Sequence, residues 1–161
     1  MPHVYRLHRR QTLSLFIDEA WALFSDPRNL EAITPDDLCF AIASDVPQAI
    51  YTGLIIEYRL TVPPGIRTGW LTEIKAVDPP YRFVDEQRYG PCALWYHEHS
   101  SRAVGGGVEC EDTVHYRLPL GWLGRVAHWL FVQGQLERIF AHRRQVLEDR
   151  FGASGARTTP G

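Results

Sequence analysis

An α+β fold is predicted for this chain: a seven-stranded antiparallel sheet curved around one long C-terminal helix. Three observations predict it. From Trp122 to Phe151 the apolar residues keep a helical period. At about 100° per residue, Trp122, Trp129, Val132, Leu136, Ile139, Phe140 and Leu147 share one arc, with Gln135, Arg138, His142, Gln145 and Asp149 opposite. From Leu38 to Leu118 the period is two instead, in short runs punctuated by Pro and Gly. Between those runs and a first extended segment stand two short helical patterns.

In chain order, Val4 to Leu13 is rich in β-tolerant residues, and its Arg and His place it at a sheet edge. Ser14 is placed to cap a helix whose first turn carries Asp18 and Glu19, favourable against the dipole. Phe16, Ala20, Leu23 and Phe24 recur at helical spacing, and Pro27 ends the run. Arg28 to Ile33 is a second short helix, closed by Thr34-Pro35. Leu38, Phe40 and Ile42 then alternate. Leu54, Ile56, Tyr58 and Leu60 share one face of a third strand, which Pro63-Pro64-Gly65 ends. Trp70, Thr72, Ile74 and Ala76 make a fourth, Tyr81 to Tyr89 a fifth and Ala93 to Ser101 a sixth. Gly105-Gly106-Gly107 turns the chain into a seventh, Val108 to Leu118. The long helix has Pro119 before it and Gly152 after it, the expected start and stop, and would run about 40 Å. Residues 1–151 read as a single domain, and 152–161 as a disordered tail with no apolar content to dock.

Composition excludes several classes. With 161 residues, 45% hydrophobic and 22% charged, the chain suits one globular core. A net charge of −2 leaves no basic field for nucleic acid. There is no apolar run long enough to span a membrane and no leader pattern, which leaves only transient lipid contact open. Cys39, Cys92 and Cys110, an odd number without CxxC spacing, fit reduced thiols and a cytoplasmic setting. Oligomeric state is not readable. Aromatics are abundant, with five Trp, and aromatics line cavities as well as cores.

Alternation assigns the strand faces. Tyr81, Phe83, Asp85, Gln87 and Tyr89 share one face of the fifth strand. Trp95, His97, His99 and Ser101 share one of the sixth, and Val108, Cys110, Asp112, Val114 and Tyr116 one of the seventh. Three adjacent strands therefore turn Asp85, Gln87, His97, His99, Asp112 and Tyr116 toward the helix. That helix carries Arg143 on its apolar arc between Phe140 and Leu147, where a charge needs a partner. Asp85 or Asp112 would supply one, unless Arg143 snorkels at an edge. His97 and His99, at i and i+2, would form half of a metal site completed by Asp112 or Cys110. Satisfied core histidines are commoner, so neither metal nor cofactor is expected. A His beside a carboxylate also suits acid–base work, which makes His97, His99 and Asp112 the candidate catalytic residues. Trp70, Phe83, Trp95, Trp129 and Phe140 are placed to face the space between sheet and helix. There they would either fill it or box a ligand.

The element order resembles a known group when taken with Phe24-Ser25-Asp26-Pro27-Arg28-Asn29-Leu30, Ile33-Thr34-Pro35 and Phe83-Val84-Asp85-Glu86-Gln87. Gly90-Pro91, Trp95-Tyr96-His97-Glu98-His99, Asp112, Tyr116-Arg117-Leu118-Pro119 and Ile139-Phe140-Ala141-His142-Arg143 extend the likeness. The set resembles the SRPBCC superfamily (START and Bet v 1-like) over residues 3–151. Within it the chain is similar to bacterial stand-alone ligand-binding and polyketide cyclase-like proteins. Ser101 departs from the pattern, standing where a large apolar residue is expected. The resemblance implies a helix-grip fold with an internal cavity. It favours binding of a hydrophobic or amphipathic small molecule, lipid, polyketide-like or isoprenoid, with aromatics for burial and the Arg143, His and Asp group at its polar head. A cyclase, dehydratase or isomerase using a His–Asp pair is the second reading. A protein-interaction module using Trp122 to Val132 is the third, which a filled cavity beside an exposed Leu130-Phe131 patch would favour.

Overall fold

The computed structural model describes residues 3–152. Seven antiparallel strands form one sheet: β1 (Tyr5–Leu13), β2 (Ala41–Ile42), β3 (Ile55–Val62), β4 (Ile66–Asp78), β5 (Arg82–Tyr89), β6 (Leu94–Val104) and β7 (Gly107–Arg117). Their spatial order is β1-β7-β6-β5-β4-β3-β2, so β1 and the two-residue β2 are the edges. Helices α1 (Ile17–Phe24) and α2 (Pro27–Ala32) follow β1. The chain closes with α3 (Trp122–Ala127), a π-helical turn (His128–Val132) and α4 (Gln133–Phe151). The disordered tail expected for 152–161 lies, apart from Gly152, outside the described residues.

Local chemistry explains most boundaries. Helix α1 starts later than its composition suggests: Phe16, not Ser14, takes the N-cap, and its N–H donates to Glu19 Oε2 at 2.8 Å. Asp26 caps α2 by accepting from the Arg28 N–H at 3.0 Å, with Pro27 at the first helical position. Leu38 is not in a strand. Pro35-Asp36-Asp37 starts a 3-10 turn (Asp36–Leu38), and Cys39 leaves it at φ 46°, so the second strand keeps only Ala41–Ile42. In β3 alternation holds, with Ile56, Tyr58 and Leu60 buried. Gly107 opens β7 because a Cβ there would collide with the Leu13 carbonyl of β1. Gly152 ends α4 with its N–H on the Glu148 carbonyl (2.8 Å), while its own carbonyl accepts from Ser14 N–H (3.3 Å).

Three patches of core join the sheet to the helices. Leu13, Ala20, Val108 and Leu147 make one, Ile56, Tyr58, Ile74 and Phe83 another, and Leu7, Trp95, Val114 and Phe140 the third. Full burial of such side chains stabilises by roughly 1.5–3 kcal/mol each. Phe140, Arg143 and Leu147 form the buried line of α4, as the arc predicts.

The first half of the long helix departs from that arc. A π turn takes one more residue than an α turn, which rotates everything before it by about 100° relative to an unbroken projection. Gly124 and His128 take the inward positions instead, and Trp122 and Trp129 are turned out, 70% and 78% exposed. Trp129 therefore does not face the space between sheet and helix. None of the described helices is long and apolar enough to cross a membrane.

Candidate functional site

Register places the polar residues of the inner face together. Across β5 and β6, Asp85 stands opposite His97 and Phe83 opposite His99; across β6 and β7, His99 stands opposite Asp112. Cross-strand neighbours lie within reach of one another. Asp112 Oδ1 is 2.9 Å from both His97 Nε2 and His99 Nδ1. Asp85 Oδ2 is 2.9 Å from His99 Nε2 and 3.7 Å from His97 Nδ1. From α4, Arg143 brings Nη1 to 3.7 Å from Asp112 Oδ1, and its guanidinium lies 5.6 Å from the centre of the Phe24 ring. Arg143 is only 7% exposed, and its Nε has no hydrogen-bond partner among the described residues.

The electrostatics push the two histidines in opposite directions. Burial and the neighbouring His99 lower the pKa of His97, against the pull of Asp112 and Asp85. Burial also opposes charge on His99, but its hydrogen bonds to Asp112 and Asp85 outweigh it and raise the pKa. Asp112 is held well below the usual carboxylate range: burial works against its charge, and Arg143, His97 and His99 overcome it. Phe83 stacks on His99 at 4.1 Å and 15°, and Phe140 meets His97 edge-on at 5.9 Å.

Beside this cluster, between sheet and α4, lies a pocket of about 510 Å³. Leu38, Leu60, Trp70, Ile74, Trp95 and Leu136 are among its apolar walls, and Asp85, His97, His99 and Arg143 are among its polar ones. Trp70 and Trp95 meet edge-to-face at 5.1 Å, with Trp70 Nε1 donating to Thr72 Oγ1 at 3.0 Å.

No family profile matches this chain, and no curated protein matches it by sequence. Solved structures do resemble it. Protein CV1439 from Chromobacterium violaceum superposes with a TM-score of 0.67 over 94% of this chain and 99% of its own, at 14% identity. Major latex-like protein 151 from Panax ginseng gives 0.66 over 92% and 97%, at 12% identity. Norcoclaurine synthase from Thalictrum flavum, solved as a point mutant with a transition-state analogue, gives 0.64 over 93% and 98%, at 12% identity. This chain has the Bet v 1-like helix-grip fold. Identities this low carry the fold and nothing of the chemistry.

Within the helix-grip fold, the sequence-derived residues divide into three groups. Trp70, Phe83, Asp85, Trp95, His97, His99, Phe140 and Arg143 line the pocket. Asp112 stands behind the histidines instead, touching both rings. Gln87, Tyr116 and Trp129 are elsewhere. Gln87 holds the β5–β6 turn, donating to the Cys92 carbonyl at 2.6 Å and accepting from its N–H at 3.3 Å. Tyr116 bonds His128 Nε2 at 2.8 Å, and that ring stacks on Tyr5 at 3.5 Å. Tyr81 and Tyr89, assigned inward, lie at the two ends of β5 and are exposed. Tyr58 and Gln135 are among the lining residues that a sequence reading misses. The Tyr58 phenol lines the pocket, its pKa raised by burial and by Asp85; a hydroxyl on an otherwise aliphatic inner face was the available clue. Gln135, which the projection puts on the outer arc, lines the pocket with its Nε2 buried and unpartnered among the described residues.

Proposed function

We propose that the protein binds a hydrophobic or amphipathic small molecule, lipid, polyketide-like or isoprenoid, in the pocket between sheet and α4. The observation that carries this reading is the pairing of apolar walls with a polar group of Asp85, His97, His99 and Arg143 on the same pocket. A ligand carbonyl or carboxylate that reaches the Arg143 guanidinium gains a charge-assisted hydrogen bond in an otherwise apolar space. The volume falls within the roughly 300–1,000 Å³ typical of small-molecule sites. The Trp, Phe and Leu walls supply burial, and Gln135 adds a polar residue to the lining. A filled interior would have favoured the interaction-module reading; the space beside the cluster favours this one.

Native mass spectrometry of the protein as purified from cells tests the proposal, with a retained small molecule of one or two mass classes expected. Displacement of anilinonaphthalene sulfonate by a long-chain fatty acid gives an affinity. Arg143→Met should weaken that affinity about tenfold or more, while a matching hydrocarbon without a headgroup loses little. A protein that retains nothing and shows no dye displacement by any amphiphile sinks the reading.

A proton-transfer enzyme of cyclase, dehydratase or isomerase type is the second reading, favoured by His97 at the pocket wall on Asp112 (2.9 Å). One neighbour in fold is itself a synthase by name. Here His97→Gln or His99→Gln would cut turnover by roughly 10²–10⁴ while binding persists. In a binder the same changes alter affinity modestly and no product forms with either protein.

A further inference from the structure

The two histidines and Asp85 have a geometry that ligand binding does not require. His97 and His99 are i and i+2 on β6, so both rings stand on the inner face. One nitrogen of each ring is committed to a single oxygen, Asp112 Oδ1, at 2.9 Å and 2.9 Å. The other two, His97 Nδ1 and His99 Nε2, are those nearest Asp85 Oδ2, at 3.7 Å and 2.9 Å. One donor atom from each of Asp85, His97 and His99 lies within 4.8 Å of the others. Ligands set tetrahedrally at 2.0–2.2 Å from an ion are separated by about 3.3–3.6 Å, the same scale. All three residues line the pocket, and Asp112 does not.

We propose that Asp85, His97 and His99 bind one divalent first-row transition ion, such as zinc, with a further coordination position turned to the pocket. The site goes beyond the small-molecule reading and does not depend on it. Metal-bound imidazoles characteristically donate their second N–H to a carboxylate, which fixes tautomer and orientation. Asp112 serves both rings in that way, with Arg143 at 3.7 Å to hold its charge. Two imidazoles and one carboxylate are the donor set of open, catalytic-type sites rather than closed structural ones. Cys110, the soft ligand the sequence offered, is outside the group: its sulfur is 3.9 Å from Ser101 Oγ.

Ion entry displaces the proton that His99 shares with Asp85. The rings, now 3.7 Å apart between centroids with 33° between planes, open further so that both lone pairs converge. The charge count then changes in a useful way. Two carboxylates, Arg143 and a divalent ion with two neutral imidazoles sum to +1. An anionic ligand group or a bound hydroxide in the position facing the pocket returns the cluster to neutrality.

The test uses the full chain, stripped with a chelator and dialysed, titrated with zinc chloride by calorimetry and with cobalt(II) by visible absorption. One ion per chain is expected, with cobalt bands of a nitrogen- and oxygen-ligated four- or five-coordinate centre. Carrying Cys39→Ser throughout removes the exposed thiol as a competing ligand. Asp85→Ala and His99→Ala should abolish binding. Asp112→Asn should weaken it by roughly 10–100-fold while stoichiometry stays at one. The wild-type titration needs no variant to fold, and circular dichroism of Asp85→Ala checks that its loss is local. Absence of cobalt bands in the wild type, or zinc affinity unchanged in Asp85→Ala, overturns the site. Dye displacement in the metal-free protein tests the pocket separately, so failure of one proposal does not pass to the other.

Discussion

Arg143 and Asp112 show how much a single pair of positions decides. A guanidinium between Phe140 and Leu147 is expensive to bury alone, and the sequence signals that an acid must stand nearby. It does not signal which acid. Alternation turns both Asp85 and Asp112 inward, and only the register of β6 with β5 and β7 settles that Arg143 lies against Asp112. Asp112→Ala should destabilise the protein by about 3–5 kcal/mol, because it leaves the buried Arg143 without its acid and His99 with Asp85 alone. Arg143→Met, which replaces charge with volume, should cost much less. Urea unfolding of both variants decides it, and equal losses would mean that Arg143 and Asp112 do not act as a pair.

At the scale of elements, strand faces were legible and helix phase was not. A period of two survives a β-bulge or an overlong strand end with local damage only, as exposed Tyr81 and Tyr89 illustrate. A helical projection instead accumulates any irregularity, so one π turn misplaces every residue before it, Trp122 and Trp129 among them. Nothing in His128-Trp129-Leu130-Phe131-Val132 marks that turn, although a His amid apolar neighbours was an unused hint. His128 is hydrogen-bonded to Tyr116 and stacks on Tyr5, and burial, with His3 nearby, lowers its pKa. A folded-state pKa below the unfolded value makes this contribution complete above about pH 6.5 and lost as pH falls below it. His128→Phe should therefore shrink the drop in Tm between pH 7.5 and pH 5 relative to wild type, read by differential scanning calorimetry. An unchanged drop would mean that His128 is not titrating in that window. Gly107→Ala tests the β1–β7 junction. Its Cβ must push the Leu13 carbonyl aside, and a loss of about 1–3 kcal/mol in chemical denaturation is expected. A neutral result would show that β1 yields there at no cost.

Across the whole molecule, element order, the change of period at Leu38 and the closing helix were enough to anticipate a sheet gripping a helix. The pocket was not readable in the same way. Whether Trp70, Trp95 and Phe140 fill a space or surround one depends on how far the sheet bends from α4, a distance that no local pattern encodes. The pairing of β1 with β7, from Tyr5 with Tyr116 to Leu13 with Val108, has a consequence for how the chain reaches this state. The first strand to be synthesised hydrogen-bonds to the last, so every one of its ladder contacts waits on some hundred intervening residues. Loop-closure entropy must be met before those contacts can repay it, which makes the sheet slow to complete. During translation Leu7 and Leu13 emerge with no partner strand, and Leu147, in the same core as Leu13, is the last of its buried residues to arrive. A nascent chain stalled before β7 thus carries an unpaired β1, open to any chaperone or neighbouring chain that can add a strand to it.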